Sequence, residues 1–330
     1  RSREVWPPRS VRSWRPRADG KIVNHLENTD QDYANVKGRL EGALHFDHAH
    51  TLSATLLSSL DHEERNSPSY PFAAREPVEV FYNKASADIT RAVRRLYGTL
   101  SAAAESWDFK DNGALDGRPL DLNPRDTEIF STQLRVGYRM SPGYNIIGKV
   151  RALKTVNKGD IDHDMDSLGF ETMAGVAFET NPLLKWRLMG GFGVRDYERA
   201  GQESLTTSLL EGEVVWLPTQ RLTIYGTLTR RLNETGGPDG SSLVQTGLSL
   251  RGDYEIYHNL LLSAGAMVRE DASRTLQSTE LVYGGHLGLE YYLNKNWLFT
   301  IGYEHAIRES TEAAFDMTRN RVTIGGKLRF

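Results

Sequence analysis

The sequence predicts an all-β chain: a closed antiparallel transmembrane β-barrel of about sixteen strands, with eighteen as the alternative. Three observations lead there. Segments of strand length alternate between apolar and polar side chains. Short and long connections follow one another in turn. No apolar run reaches the roughly 18 residues that a membrane-spanning helix needs. The clearest stretch runs from Asn259 to Phe330. In its last segment Val322, Ile324, Leu328 and Phe330 share one parity, while Arg321, Thr323, Lys327 and Arg329 share the other. A strand sends successive side chains to opposite faces, so this segment has one greasy face and one cationic face.

Bulk composition is consistent with this and excludes other classes. Charged residues make up 25% of the 330 positions and hydrophobic residues 39%, and the mean hydropathy is −0.49. Such an average is uninformative for a strand that alternates, because half of its side chains can face water. Forty basic and 43 acidic residues give a formal net charge of −3, which offers nothing to a nucleic-acid partner. Cysteine is absent, which excludes a disulfide scaffold and thiolate metal sites and suits passage through an oxidising periplasm.

Taken in order, residues 1–16 (RSREVWPPRSVRSWRP) hold three prolines and five arginines with little periodicity. They read as a periplasmic lead-in or a partial strand, followed by a single barrel domain at 17–330. Parity and turn chemistry then place strands at about 17–27, 34–46, 50–63, 79–93, 95–109, 127–140, 143–156 and 167–180. They continue at 183–198, 205–217, 220–232, 241–256, 259–271, 279–293, 296–309 and 318–330. Tight joints such as SPG (Ser141 to Gly143), LPTQ (Leu217 to Gln220) and LNKN (Leu293 to Asn296) carry the Pro, Gly and Asn that sharp turns require. Long polar joints at 64–77, 110–126 and 233–240 alternate with them. In an outer-membrane barrel the short turns face the periplasm, so both termini would lie there.

The faces agree from strand to strand. Phe130, Leu134, Val136, Tyr138 and Met140 oppose Ser131, Gln133, Arg135 and Arg139. Leu184, Trp186, Leu188, Phe192 and Val194 oppose Lys185, Arg187, Met189, Gly191 and Gly193. Tyr144, Trp216, Tyr254, Tyr291 and Trp297 stand at strand ends, where an amphipathic ring fits a membrane–water boundary. A water-soluble propeller would show shorter strands and mixed environments.

If the apolar parity faces lipid, the charged parity lines a lumen, and so many ionic groups require water there. Arg135, Arg139, Lys149 and Arg151, with Lys185, Arg187 and Arg195, would form a basic wall favouring an anionic permeant. Glu211 and Glu213 line the same lumen, and acidic residues such as Glu171 and Glu211 on neighbouring strands could neutralise the wall instead. The third long connection, 110–126, is a constriction candidate presenting Asp111, Asp116, Arg118, Asp121, Arg125 and Asp126; an ordinary exposed loop is the alternative. DIDHDMD sets Asp160, Asp162, Asp164 and Asp166 at alternate positions, but Met165 stands where an EF-hand needs glycine, so it reads as a solvated acidic loop. HFDHAH gathers His45, His48 and His50 at one turn, with metal binding there the lesser reading. No hydrolase, phosphate-loop or zinc-protease motif occurs, so neither an enzyme nor a cofactor is indicated.

Several runs resemble an outer-membrane β-barrel porin family associated with exopolysaccharide export loci. They are HEERNSPS, the stretch around Trp216, Pro218 and Thr219, His258 to Leu262, the turn from Tyr291 to Asn296, and TRNRVTIGGKLRF with its terminal Phe330. The resemblance covers most of the chain from about residue 20. It implies a passive outer-membrane pore for a secreted polysaccharide, set in outer-membrane lipid and lipopolysaccharide and working with a periplasmic export partner. A general or anion-preferring diffusion porin and a non-conducting, partner-anchoring barrel are the alternatives. Members of that family carry about two further strands ahead of the point equivalent to residue 17, so the barrel implied has eighteen.

Overall fold

Sixteen strands pair in sequence order into one antiparallel sheet. The computed structural model describes residues 11–23, 29–47, 49–63, 71, 74–158, 166–181, 183–198, 204–234, 242–273, 278–311 and 316–328. Asp160, Asp162, Asp164, His48, Arg329 and Phe330 lie outside them.

The order begins with β1 (Val11–Val23), β2 (Tyr33–His45), β3 (His50–His62), β4 (Glu79–Val93) and β5 (Leu96–Phe109). Two short strands, β6 (Asn112–Gly113) and β7 (Pro119–Leu120), form a separate hairpin inside the next connection. The sheet resumes with β8 (Thr127–Ser141), β9 (Tyr144–Asn157), β10 (Ser167–Asn181), β11 (Leu184–Tyr197) and β12 (Leu205–Thr219). It ends with β13 (Leu222–Glu234), β14 (Ser242–Tyr257), β15 (Leu260–Ser273), β16 (Ser278–Tyr292), β17 (Trp297–Ser310) and β18 (Met317–Leu328). The strand total is therefore eighteen rather than sixteen. The added pair is the β6–β7 hairpin, whose two-residue strands are too short to carry a parity signal. β1 also starts at Val11 instead of residue 17 and takes in Pro16, which sits opposite Leu40. Among the described residues β1 pairs with β2 alone, an edge position of the kind where a sheet accommodates proline.

Tight joints close one end of the sheet. At the joint between β8 and β9, Pro142 precedes Gly143 at φ 80°, the combination a type II turn demands. The other end carries the long connections. Two of them build a small core of their own: Ala74, Val78 and Leu122 are buried, with Phe109 and Leu120 packed against them. An isolated bridge between Ala74 and Ala114 and a bond from the Arg75 amide to the Gly113 carbonyl (2.8 Å) tie the connections together.

The two faces of the sheet are inverted relative to a soluble protein. The apolar parity is exposed on every strand from β8 to β11: Phe130 and Leu134, then Ile146 and Val150, Phe170 and Val176, Leu188 and Phe192. Phe192 is 64% and Ile324 79% exposed. Polar and ionised side chains share the buried parity with some apolar ones, and Asp271 and Arg308 are each 1% exposed. Near the end with the long connections, the apolar face is crossed by one polar row. Gly38, Ser58, Asn83, Ser106 and Glu128 lie side by side in register across β2, β3, β4, β5 and β8.

The buried face is concave. Lys149 on β9 binds Glu211 on β12 with two strands lying between them. In a flat sheet their Cα atoms would stand roughly 16 Å apart, from three spacings of about 4.8 Å and a two-residue offset. Upright side chains could not bridge that gap, so the sheet must curl toward them. Among the described residues no backbone pairing joins β1 to β18. Even so, the Lys327 ammonium on β18 acts electrostatically on Asp19 of β1, so the two ends of the sheet come near one another.

Candidate permeation pathway

The concave face holds the groups that could meet a permeant, and most of its charges are already matched. Glu171 on β10 lies between Arg151 on β9 (3.8 Å) and Arg195 on β11 (3.7 Å), each one strand away. Arg187 donates to Glu213 at 2.7 Å across β11 and β12. Lys84 and Tyr82 both donate to Glu105, at 2.9 and 2.7 Å. On the last strands Arg319 and Arg321 share Glu304, each at 2.6 Å, and Arg308 binds Glu280. The expected basic wall is thus partly neutralised: Lys149 and Arg187 pair with Glu211 and Glu213, and Arg151 and Arg195 share Glu171. Arg139 donates to the Arg94 carbonyl at 3.0 Å and lies over the Tyr97 ring. Arg135 sits beside Lys149 in the register, and Lys185 is exposed near the tight-turn end of β11.

Burial varies along this face. On β9 to β12 the lining is closed: Met189 is fully buried, and Ile147, Met173 and Leu209 cluster with it beside the buried Lys149. On β3, β4 and β5 the inward positions other than the buried Ser59 and Val80 are half-buried and include short side chains such as Thr51, Ser53, Ser86, Thr90, Thr99 and Ser101. Nothing in the sequence singled these out. The available signal was a Ser/Thr run on the polar parity of three consecutive strands.

In the connection at 110–126 the acidic groups fold the loop itself. Asp111 accepts from the Leu122 amide (2.9 Å), Asp116 from the Arg118 amide (3.1 Å) and Asp121 from the Asn123 amide (3.0 Å). Arg125 is buried, donates to both oxygens of Glu63 (3.0 and 2.9 Å) and stacks over the Phe109 ring at 4.1 Å. Asp126 accepts from the Phe109 amide at 2.7 Å, while burial raises its pKa above the usual carboxylate range. These contacts join the loop to the neighbouring connection, and Arg118 remains exposed.

The two acidic and histidine-rich motifs have structural roles where they are described. Asp166 accepts from the Asn157 amide at 2.8 Å. His45 pairs with the Thr51 hydroxyl at 2.9 Å. Asp47 accepts from the His50 ring and from the Ala49 and His50 amides, the amides both at 2.7 Å. Among the described residues no group of three or more His, Cys, Asp or Glu is placed to hold a metal ion. The His50 bond, followed by the Ala49 amide, holds the Asp47 carboxyl below its ordinary 3.8. A depressed carboxylate stabilises the fold above its unfolded value and loses that effect as pH falls through the folded value. The Ala49 and His50 amides are therefore expected to stay protected from exchange at neutral pH and to lose protection below the ordinary Asp value, once intrinsic rates are corrected. Unchanged protection in strong acid would show that the carboxylate does not hold this turn.

Residues 14–330 match a family model described as "Putative beta-barrel porin 2". No curated protein matches the sequence. Among solved structures, the FrpB iron transporter from Neisseria meningitidis (F3-3 variant) aligns with a TM-score of 0.53 at 9% identity, covering 93% of this chain and 59% of that one. The FpvAI–pyocin S2 complex gives 0.51 at 11% identity, covering 96% and 56%. A bacterial polysaccharide outer membrane secretin gives 0.46 at 11% identity, covering 97% and 98%. The chain spans about three fifths of the length of the first two, and at such identities the likeness is one of fold alone.

Proposed function

The chain belongs to the family described as putative beta-barrel porin 2, and from that premise we propose that it closes into a cylinder in a bacterial outer membrane and forms a passive pore. The inversion of the two faces carries this reading. Phe130, Leu188, Phe192 and Ile324 are exposed on the convex side, where hydrocarbon would cover them. Arginine, lysine and carboxylate side chains occupy the concave side, where a sixteen-stranded cylinder leaves an aqueous channel. Tyr144, Phe178 and Trp186 pack together at the tight-turn end, with ring centroids 4.8 and 5.8 Å apart, as an aromatic girdle would at one membrane boundary. That end, with both termini, is assigned to the periplasm.

The permeant in this reading is a secreted polysaccharide, delivered by a periplasmic partner. Its support is the ion pairing along the lining. Lys149, Arg151, Arg187 and Arg195, paired with Glu211, Glu171 and Glu213, hold anions less strongly than free cations would, and weak binding lets a polymer leave as readily as it enters. Reconstitution in planar bilayers tests the pore directly. Steady ohmic current is expected, with a reversal potential near zero in a KCl gradient. Absence of current from folded protein would leave the non-conducting, partner-anchoring barrel, and a strong anion preference would favour the diffusion porin.

A further inference from the structure

The convex face carries a second polar interruption, on the last two strands. Tyr303 and His305 of β17 and Asn320 of β18 share the outward parity, and Gly285 of β16 lies beside His305 in the register. The Tyr303 hydroxyl and the His305 Nδ1 both meet Asn320 Oδ1 at 2.8 Å. That oxygen only accepts, so Nδ1 carries the hydrogen and Nε2 of the neutral ring is left as an acceptor. Among the described residues neither this Nε2 nor the Asn320 amide nitrogen has a bonding partner. His305 stands eight residues from Trp297, about 27 Å along β17 and roughly 20 Å along the membrane normal at a tilt of about 40°. Ile307 follows it on the same parity, so the pair sits just inside the apolar band, toward the long connections.

A groove of about 660 Å³ adjoins His305 on this face. Its floor is Gly252, Ala264, Ala266 and Gly285, neighbouring positions of β14, β15 and β16. The register makes it oblique: it rises from Gly252 to Gly285 and ends at His305. Leu250, 52% exposed, stands on one side and Leu287, 56% exposed, on the other. Arg251 and His286 also border it, but the register sets both on the concave parity.

We propose that this groove seats one acyl chain of lipopolysaccharide, and that His305 and Asn320 recognise the hydroxyl of a 3-hydroxyacyl group on it. The ridges of Leu250 and Leu287 leave room for a single chain between them and hold a flat protein surface off the floor. A plain hydrocarbon chain would leave the Nε2 lone pair and the amide hydrogens unmatched in a medium without water, which is costly. One hydroxyl answers both, donating to Nε2 and accepting from the Asn320 amide. The depth fits as well. A hydroxyl on the third carbon stays near the head group, while the tail descends along the oblique floor. The proposal rests on the outer-membrane reading of the convex face and is independent of conduction through the lumen.

The test folds the full chain in detergent and offers it two competing probes, followed by native mass spectrometry. One probe is lipid A with 3-hydroxytetradecanoyl chains; the other is a synthetic analogue with the same phosphorylated head and unhydroxylated chains. The wild-type chain is expected to retain lipid A about fivefold over the analogue, the scale of one hydrogen-bonding group. His305→Leu should bring that ratio to about one. Asn320→Leu serves as the second variant if His305→Leu fails to show the heat-modifiable gel mobility of a folded barrel. Ala266→Trp, or Ala264→Trp if that misfolds, should fill the floor and lower retention of both lipids at least several-fold. Equal retention by the wild-type chain would overturn the proposal, as would a preference that survives in the folded polar variant or retention unchanged by the folded Trp variant. A protein dimer that excludes both lipids would give the groove to a second copy and overturn it too. Failure of the folded wild-type chain to insert into phospholipid vesicles would instead overturn the outer-membrane reading.

Discussion

Replacing Arg125 with alanine is expected to release the connection at 110–126 while leaving the sheet intact. The guanidinium is enclosed by Glu63 and the Phe109 ring and is almost without solvent contact, as is the Glu63 carboxylate. Removing one partner of a buried pair leaves the other charge poorly compensated, at a cost of about 3–5 kcal/mol. The neighbouring core of Ala74, Val78 and Leu122 is too small to offset that. Since cleavage of a transiently opened segment follows the population of the open form, trypsin should cut beside the exposed Arg118 roughly a hundred to a few thousand times faster. Arg125→Lys should recover little, because a single ammonium cannot bind both carboxylate oxygens in parallel. An unaltered cleavage rate in Arg125→Ala would mean the loop is held by something else.

Gly191→Val is expected to prevent formation of the folded sheet. A Cβ at Gly191 would stand 1.9 Å from the Thr172 carbonyl oxygen and 2.7 Å from the Met173 Cα. Across the same strand pair, a Cβ at Gly175 would stand 2.0 Å from the Leu188 carbonyl oxygen. Both glycines occupy the concave face where the sheet curls most closely, and the obstruction is backbone, which cannot move aside as a rotamer would. The cost should exceed the roughly 1–3 kcal/mol of ordinary overpacking. Gly148, on the convex face with nothing within 4 Å of its missing Cβ, supplies the contrast. Heat-modifiable mobility should be lost in Gly191→Val and retained in Gly148→Ala. Retention in both would show that the curl can relax.

These two sites mark where the sequence could and could not be read. Parity is a property of one strand, so the outward course of Leu134, Leu188, Phe192 and Ile324 was legible before any coordinates. The tight joints were legible for the same reason: Pro142 and Gly143 dictate their turn alone. Pairing across strands was not. Lys149 meets Glu211 only because three strand spacings are folded together, and no count along the chain reveals that curvature. Neutralisation of the basic wall by Glu171 and Glu211 was an alternative legible in the sequence; Glu171 meets Arg195 from the adjacent strand, whereas the pairing of Lys149 with Glu211 depends on the curl. In the loop, Asp111, Asp116 and Asp121 look like displayed charges in the sequence, yet each accepts a backbone amide, two residues on for Asp116 and Asp121 and eleven on for Asp111. The hydroxyl wall was missed because serine and threonine opposite apolar residues are unremarkable in any one strand and gain meaning only in register.

The polar row from Ser58 to Glu128 also sets a dimension. On β5 the outward apolar positions run from Leu96 to Ala104 before Ser106 interrupts them. Ten residues from Leu96 to Ser106 span about 33 Å along the strand. At the tilt of about 40° usual for such cylinders, that becomes roughly 25 Å along the membrane normal. A bilayer much thicker than this would force its acyl chains against Asn83 and Glu128, or have to pinch inward around that side of the protein. The chain is therefore matched to a thin hydrocarbon layer and should partition away from thicker ones.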